Sequence, residues 1–399
     1  MSTHSSVSKL LKLEDSISFL KAVCQRYPET LYLLGEATAS PEGNQTLKSD
    51  ALAYQVFPDQ AIATTAIEFD RTAMGLLCLR GVINNDSSLF PFLSHESFQR
   101  LCDYTKSVVQ SPEDVEFILY SLACNDLGKT AALACQGNGD DHDQILFDLV
   151  SRRFDLFPGM TEHLSLEQIT LYAAGLGANL NLGQYVQGEN LPWNLQDMQQ
   201  INEKARNLRL LAELYDFAGA TGHINHTRSL VMNDENAWAF MAAIQQLMTD
   251  PLDKAYERYV ELRAQRVGLG DHPDAGYALG RLAAMARVFT VEQGGQVLKA
   301  WTGLADKDAL RNGLAATGVD GSKGVLVYYA PALIANTLKA AGHEAGLPIA
   351  LSILAAIYER EASLHHDYTG DGVITVDVNQ MAKDCLSNPQ AVLASLQGV

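Results

Sequence analysis

The sequence predicts an all-α protein. Three observations lead there. Apolar residues recur at helical spacing in segment after segment, as in Val115, Ile118, Leu119 and Leu122. Helix-start signals precede several of these segments, the fullest being Ser111-Pro112-Glu113-Asp114. Alternating strand patterns are scarce, and Gly324 to Tyr328 is the one stretch that tempts a strand assignment.

Taken in order, residues 1–34 contain an amphipathic helix with Leu13, Ile17, Leu20 and Val23 on one face. Residues 35–60 are rich in Gly, Ser, Pro, Asn and Asp and read as a loop. Ala61 to Val82 reads as a long apolar helix that carries Glu68, Asp70, Arg71 and Arg80. Asn84 to Ser88 is a turn, and a helix opens at Ser94 with Phe98, Leu101 and Cys102 on its buried face. The helix from Ser111 then carries Asn125, Asp126, Gly128 and Lys129 at its far end. Polar groups delivered into a core by an apolar helix need partners there.

Gln136 to Asp143 is a Gly/Asp-rich turn before a helix over 144–153, and Phe157-Pro158-Gly159 breaks that helix. Ser165 to Ala173 and Asn202 to Ala220 are helical, the latter with Leu208, Leu211, Ala212 and Tyr215 on one face. Residues 238–248 and 252–266 form a helical hairpin about Asp250-Pro251. Helices recur beyond Pro273, over 274–289, 291–303, 306–316, 323–341, 346–362 and 378–396. The boundaries that follow are an N-terminal helix and loop over 1–60, a helical domain over 61–266 and a C-terminal helical region over 267–399. Asp367 to Asp377 resembles half of an EF-hand loop, but Val378 stands where the bidentate acid is required, so a plain turn is the better reading.

The 399 residues are 47% hydrophobic and 19% charged, enough for a sizeable core, and the net charge is −18. That charge argues against nucleic acid and against an anionic membrane as partners. A small anionic molecule stays open, because a local cation cluster overrides the mean field. Six cysteines without a Cys-x-x-Cys pair read as reduced thiols, and no apolar run is long enough to span a bilayer. The expectation is a cytoplasmic protein. No P-loop, Gly-x-Ser-x-Gly elbow or zinc-finger spacing is present.

Asn125-Asp126-Leu127-Gly128-Lys129 resembles the His-Asp-Leu-Gly-Lys signature of the HD superfamily, with Asn where that family has His. The resemblance covers roughly residues 90–230. It implies an HD-like helical bundle with a C-terminal helical extension. Its members hold one or two metals; most are phosphohydrolases and a minority are di-iron oxygenases. Carried over residue by residue, the resemblance places the metal ligands on His95, Asn125, Asp126, His142, His163 and Asp216. It places Lys129 near a substrate phosphate.

Imidazole with carboxylate suits Mn, Fe or Zn. Asn125 is a weak neutral donor, so at most one divalent transition metal per chain is expected. A second cluster, His223, His226 and Arg228, has the chemistry of a proton donor and an anion clamp. The leading expectation is a metal-assisted hydrolase of a phosphate ester or nucleotide. The alternatives are a catalytically degenerate HD-like binding or scaffold protein, favoured by Asn125, and an iron-dependent oxygenase using the same pocket.

Overall fold

The computed structural model describes residues 4–36, 46–139, 141–178, 180–272, 275–304, 307–319, 323–365 and 372–398. The protein is all-α, and two short strands are its sheet structure among those residues. The chain divides into two compact units.

The first unit comprises Met1–Leu182 and Gln200–Met241. Its helices are α1 (His4–Leu11), α2 (Ser16–Arg26), α3 (Leu52–Val56), α4 (Ile67–Ile83), α5 (His95–Val108), α6 (Pro112–Cys124), α7 (Ala131–Ala134), α8 (His142–Arg152), α9 (Pro158–His163) and α10 (Leu166–Gly177). After α11 (Leu182–Val186), where the chain leaves this unit, it returns as α12 (Glu203–Gly219) and the first half of α13 (Asp234–Thr249).

Helix α4 is the centre of the unit and is buried along nearly its whole length, Glu68 and Asp70 included. It packs directly on α12. A Cβ on Gly219 would stand 2.2 Å from the Arg71 carbonyl oxygen, so only glycine admits this approach. Helix α6 begins with the capping box that its sequence announces: the Asp114 amide donates to Ser111 Oγ while the Ser111 amide donates to Asp114 Oδ2. Asp114 also meets Lys204 at 2.8 Å.

The second unit comprises Gly183–Gln199 and Ala242–Val399. Its helices are α14 (Leu252–Arg266), α15 (Gly280–Met285), α16 (Val291–Thr302), α17 (Asp308–Ala315), α18 (Ala330–Ala341), α19 (His343–Leu364), α20 (Asn379–Cys385) and α21 (Pro389–Leu396). Strand β1 (Lys323–Tyr328) pairs in parallel with β2 (Gly372–Asp377), Lys323 opposite Gly372 and Tyr328 opposite Asp377. The core gathers Trp301, Leu333, Leu351, Leu354 and Ile357.

The structure corrects several expectations. The loop of residues 35–60 contains α3, whose first amides donate to the Asp70 carboxylate at 3.1 and 2.8 Å, a long-range cap that local composition does not announce. The N-terminal helix is two, because Asp15 caps a fresh start. Residues 323–328 are strand rather than helix, their pairing partner lying far along the chain. A π-helical turn (Ala275–Leu279) precedes α15. The boundary near residue 267 moves as well: α14 belongs to the second unit, where Gly280 lets α15 come against the Val260 carbonyl. Of the acidic turn over 367–377, residues 367–371 lie outside the described residues.

Candidate functional site

Four elements of the first unit converge on Asp126. Helix α6 ends at Cys124, Asn125 continues in helical geometry, and a 3-10 turn (Leu127–Lys129) folds Lys129 back over Asp126. Lys129 Nζ lies 2.6 Å from Asp126 Oδ1 and 3.5 Å from Glu68 Oε2 on α4. Arg71, one turn on from Glu68, meets Glu68 Oε1 at 3.2 Å. Gly128 lets the start of α8 approach, since a Cβ there would stand 2.1 Å from the His142 carbonyl oxygen. His142 is the first residue of α8 rather than part of a turn, because Asp141 caps the helix by accepting from the Gln144 amide. Its Nε2 lies 4.0 Å from Asp126 Oδ1 and 3.7 Å from Asp143 Oδ1.

Arg209 on α12 is the hub of the adjoining layer. Its Nη1 donates to Asn125 Oδ1 at 2.9 Å and its Nη2 to Asp143 Oδ2 at 2.9 Å. Nη2 also lies 2.7 Å from Glu213 Oε1, and Glu213 Oε2 accepts from the Leu182 amide. Both members of the Asn125-Asp126 pair therefore face a protein cation. Asn125 takes Arg209, and Asp126 takes Lys129.

The electrostatics follow from burial and crowding. Burial disfavours the Asp126 carboxylate, but Lys129, Arg71 and His142 outweigh it and hold the carboxyl below the usual carboxylate range. Burial opposes the Lys129 charge too, and Asp126 and Glu68 more than restore it. Glu68 goes the other way. Burial pushes its carboxyl up to about 7 against the pull of Lys129, and Asp126 adds to the rise. Half-buried Asp216 is raised by burial and then by Asp126. Glu213 is pushed up to about 7 by burial, against Arg209. Carboxyls outnumber cations here, and Glu68, Asp216 and Glu213 are the ones raised.

The remaining predicted residues lie elsewhere. His95 is exposed at the first position of α5. His163 packs edge-on to Tyr27, with ring centroids 6.1 Å apart, and burial and Arg26 lower its pKa. That corner is organised by Glu116, which takes two hydrogen bonds from Arg26 and one from Tyr27. His223 is buried. His226 bridges Asp70 at 3.2 Å and Asp50 at 3.4 Å, tying its loop to the acid that caps α3. Arg228 is exposed, its amide held by Asn225 in an Asx turn. Only Asn125, Asp126, Lys129, His142 and Asp216 of the predicted set share one neighbourhood.

The pattern of residues missed Glu68, Arg71, Arg209 and Glu213. A signal existed: Glu68 with Arg71 and Arg209 with Glu213 stand at i,i+3 and i,i+4 within helices flanked by apolar residues, which is how paired buried charges look in sequence.

Among the described residues no group of three or more His, Cys, Asp or Glu side chains is placed to hold a metal ion. Asp126 Oδ1, which lies 4.0 Å from His142 Nε2, already has Lys129 Nζ at 2.6 Å.

Fold and site together define an all-helical protein with an internally paired charge cluster at the end of a buried helix. The chain belongs to the family of unknown function DUF6829, whose model matches residues 20–391. No curated protein and no solved structure matches it. Among the described residues no helix is long and apolar enough to cross a membrane.

Proposed function

We propose that the chain is a catalytically degenerate HD-like helical protein that acts by binding and not by metal-assisted hydrolysis. One observation carries this reading. Lys129 Nζ sits 2.6 Å from Asp126 Oδ1, while the residue at the family's histidine position, Asn125, accepts from Arg209. A divalent cation on Asp126 would have to displace an ammonium in the field of Arg71, and repulsion between cations opposes that. The ligand class we assign is a small anionic molecule, since the charge of −18 disfavours nucleic acid. The six free cysteines support a cytoplasmic location.

The hydrolase reading keeps one favourable observation: imidazole and carboxylate do approach each other, His142 Nε2 lying 4.0 Å from Asp126 Oδ1. Metal content decides between the two. Purified protein incubated with Mn, Fe or Zn and then gel-filtered should carry substoichiometric metal. The double variant Asn125→His, Lys129→Met should gain metal, because it supplies the imidazole and withdraws the competing ammonium. One metal per wild-type chain would sink the binding reading and install the hydrolase.

A further inference from the structure

The second unit buries a cation with which no carboxylate of the described residues forms an ion pair. Arg281 is 0% exposed. Its Nε donates to the Gly188 carbonyl at 3.0 Å, and its Nη1 reaches the carbonyls of Gly313 and Leu314 at 3.5 and 3.4 Å. Its Nη2 is buried without a hydrogen-bond partner. Among the described residues no carboxylate forms an ion pair with it. Glu189 is the acid whose charge bears on it, and Glu189 Oε1 is already committed to the Tyr329 amide at 2.5 Å.

Three phenols act on this guanidinium, those of Tyr256, Tyr277 and Tyr358. The rings of Tyr185 and Tyr256 lie 4.8 Å apart, and those of Tyr256 and Tyr277 lie 5.9 Å apart. Burial works against the Arg281 charge, and the side chains that act on it most are Tyr358, Tyr256 and Tyr277. The hydroxyls of Tyr185, Tyr277 and Tyr358 are buried and make no hydrogen bond. Tyr277 sits in the π-helical turn, and Arg281 follows it by four residues. Single π turns recur at functional sites, where they re-aim side chains.

Native proteins satisfy buried donors and pair buried charges. Here several donors and one unpaired cation share one neighbourhood, and together they call for a partner that is negative and rich in acceptors. We propose that Arg281, with Tyr256, Tyr277 and Tyr358, forms a buried site for the oxyanion group, carboxylate or phosphate, of a small molecule. The site uses none of the residues of the Asp126 cluster, so either reading can fail alone.

The test is thermal melting of the full-length protein titrated with inorganic phosphate in one arm and benzoate in the other, against chloride at equal ionic strength. A saturable rise in Tm is expected in at least one arm, and the responding arm names the class. The double variant Tyr277→Phe, Tyr358→Phe should melt like wild type without anion, because its lost hydroxyls make no hydrogen bond to the described residues. It should bind the responding anion about tenfold or more weakly, the usual scale for losing hydrogen bonds to a charged group. No saturable response in either arm overturns the proposal. So does an unchanged affinity in the double variant, or a large loss of Tm in it without anion, which would make the hydroxyls structural.

Discussion

Both units bury an arginine, and they treat it in opposite ways. Arg209 meets Asn125, Asp143 and Glu213 within 2.9 Å, and its neighbours Lys129, Arg71 and Glu68 pair among themselves and with Asp126. Arg281 meets backbone carbonyls and phenols and no carboxylate among the described residues. A cluster whose charges answer one another is costly to break. A buried cation without a counter-charge among the described residues is instead a reason to look for a ligand. The stretch with a recognisable motif is thus the one whose charges pair with one another, while the stretch without a motif holds an arginine that no carboxylate of the described residues pairs with.

The largest expected effect separates the two arginines directly. Arg209→Met strands the Asp143 and Glu213 carboxyls and should lower unfolding stability by about 3–5 kcal/mol in urea titrations. Arg281→Met strands carbonyls only and should cost about 1–3 kcal/mol. If the order is reversed, the contrast between a paired and an unpaired arginine fails.

A smaller effect concerns pH. Glu189 in the second unit is pushed up to about 7 by burial, against the Tyr329 amide and Arg287. Glu68 and Glu213 in the first unit stand at about 7 as well. A folded-state pKa above the ordinary glutamate value of 4.5 means that the folded form binds the extra proton. Its contribution is fully present below pH 4.5 and is lost as pH rises through about 7. Asp126 has the opposite sign, and its contribution is lost as pH falls below the ordinary aspartate range. Urea midpoints should therefore decline from mildly acid pH to neutrality and level off above it. Glu189→Gln should flatten part of that decline and leave the share of Glu68 and Glu213. An unchanged slope in this variant would place the titration wholly in the first unit.

The smallest effect is expected at Arg228. The side chain is exposed, and its backbone is held by Asn225 whatever the residue. Arg228→Ala should change stability by less than about 0.5 kcal/mol, as for exposed sites elsewhere. A larger loss in thermal melts would show that His226, Asp70 and Arg228 act as one network.

Much of the local architecture was legible because its causes are local. Ser111, Pro112 and Asp114 start a helix through contacts within four residues, and the chain itself holds that information. The same is true of Asn125 to Lys129, where a short turn returns Lys129 to Asp126. The all-α class follows from apolar spacing repeated over many segments.

Partners of buried charges are a different matter. Arg209 reaches Asn125 across 84 residues and Asp143 across 66, and nothing in the sequence near any of them names the others. The strands β1 and β2 are unremarkable as isolated stretches and become a sheet only when Lys323 is brought opposite Gly372. Whether Asp126 faces a lysine or a metal, and whether Arg281 faces an acid or phenols, is decided by which helices pack together. Packing is set by the sum of many weak apolar contacts over the whole chain. Helix periods and caps were therefore determined by the sequence alone, and the identity of each buried charge's partner was decided by tertiary structure.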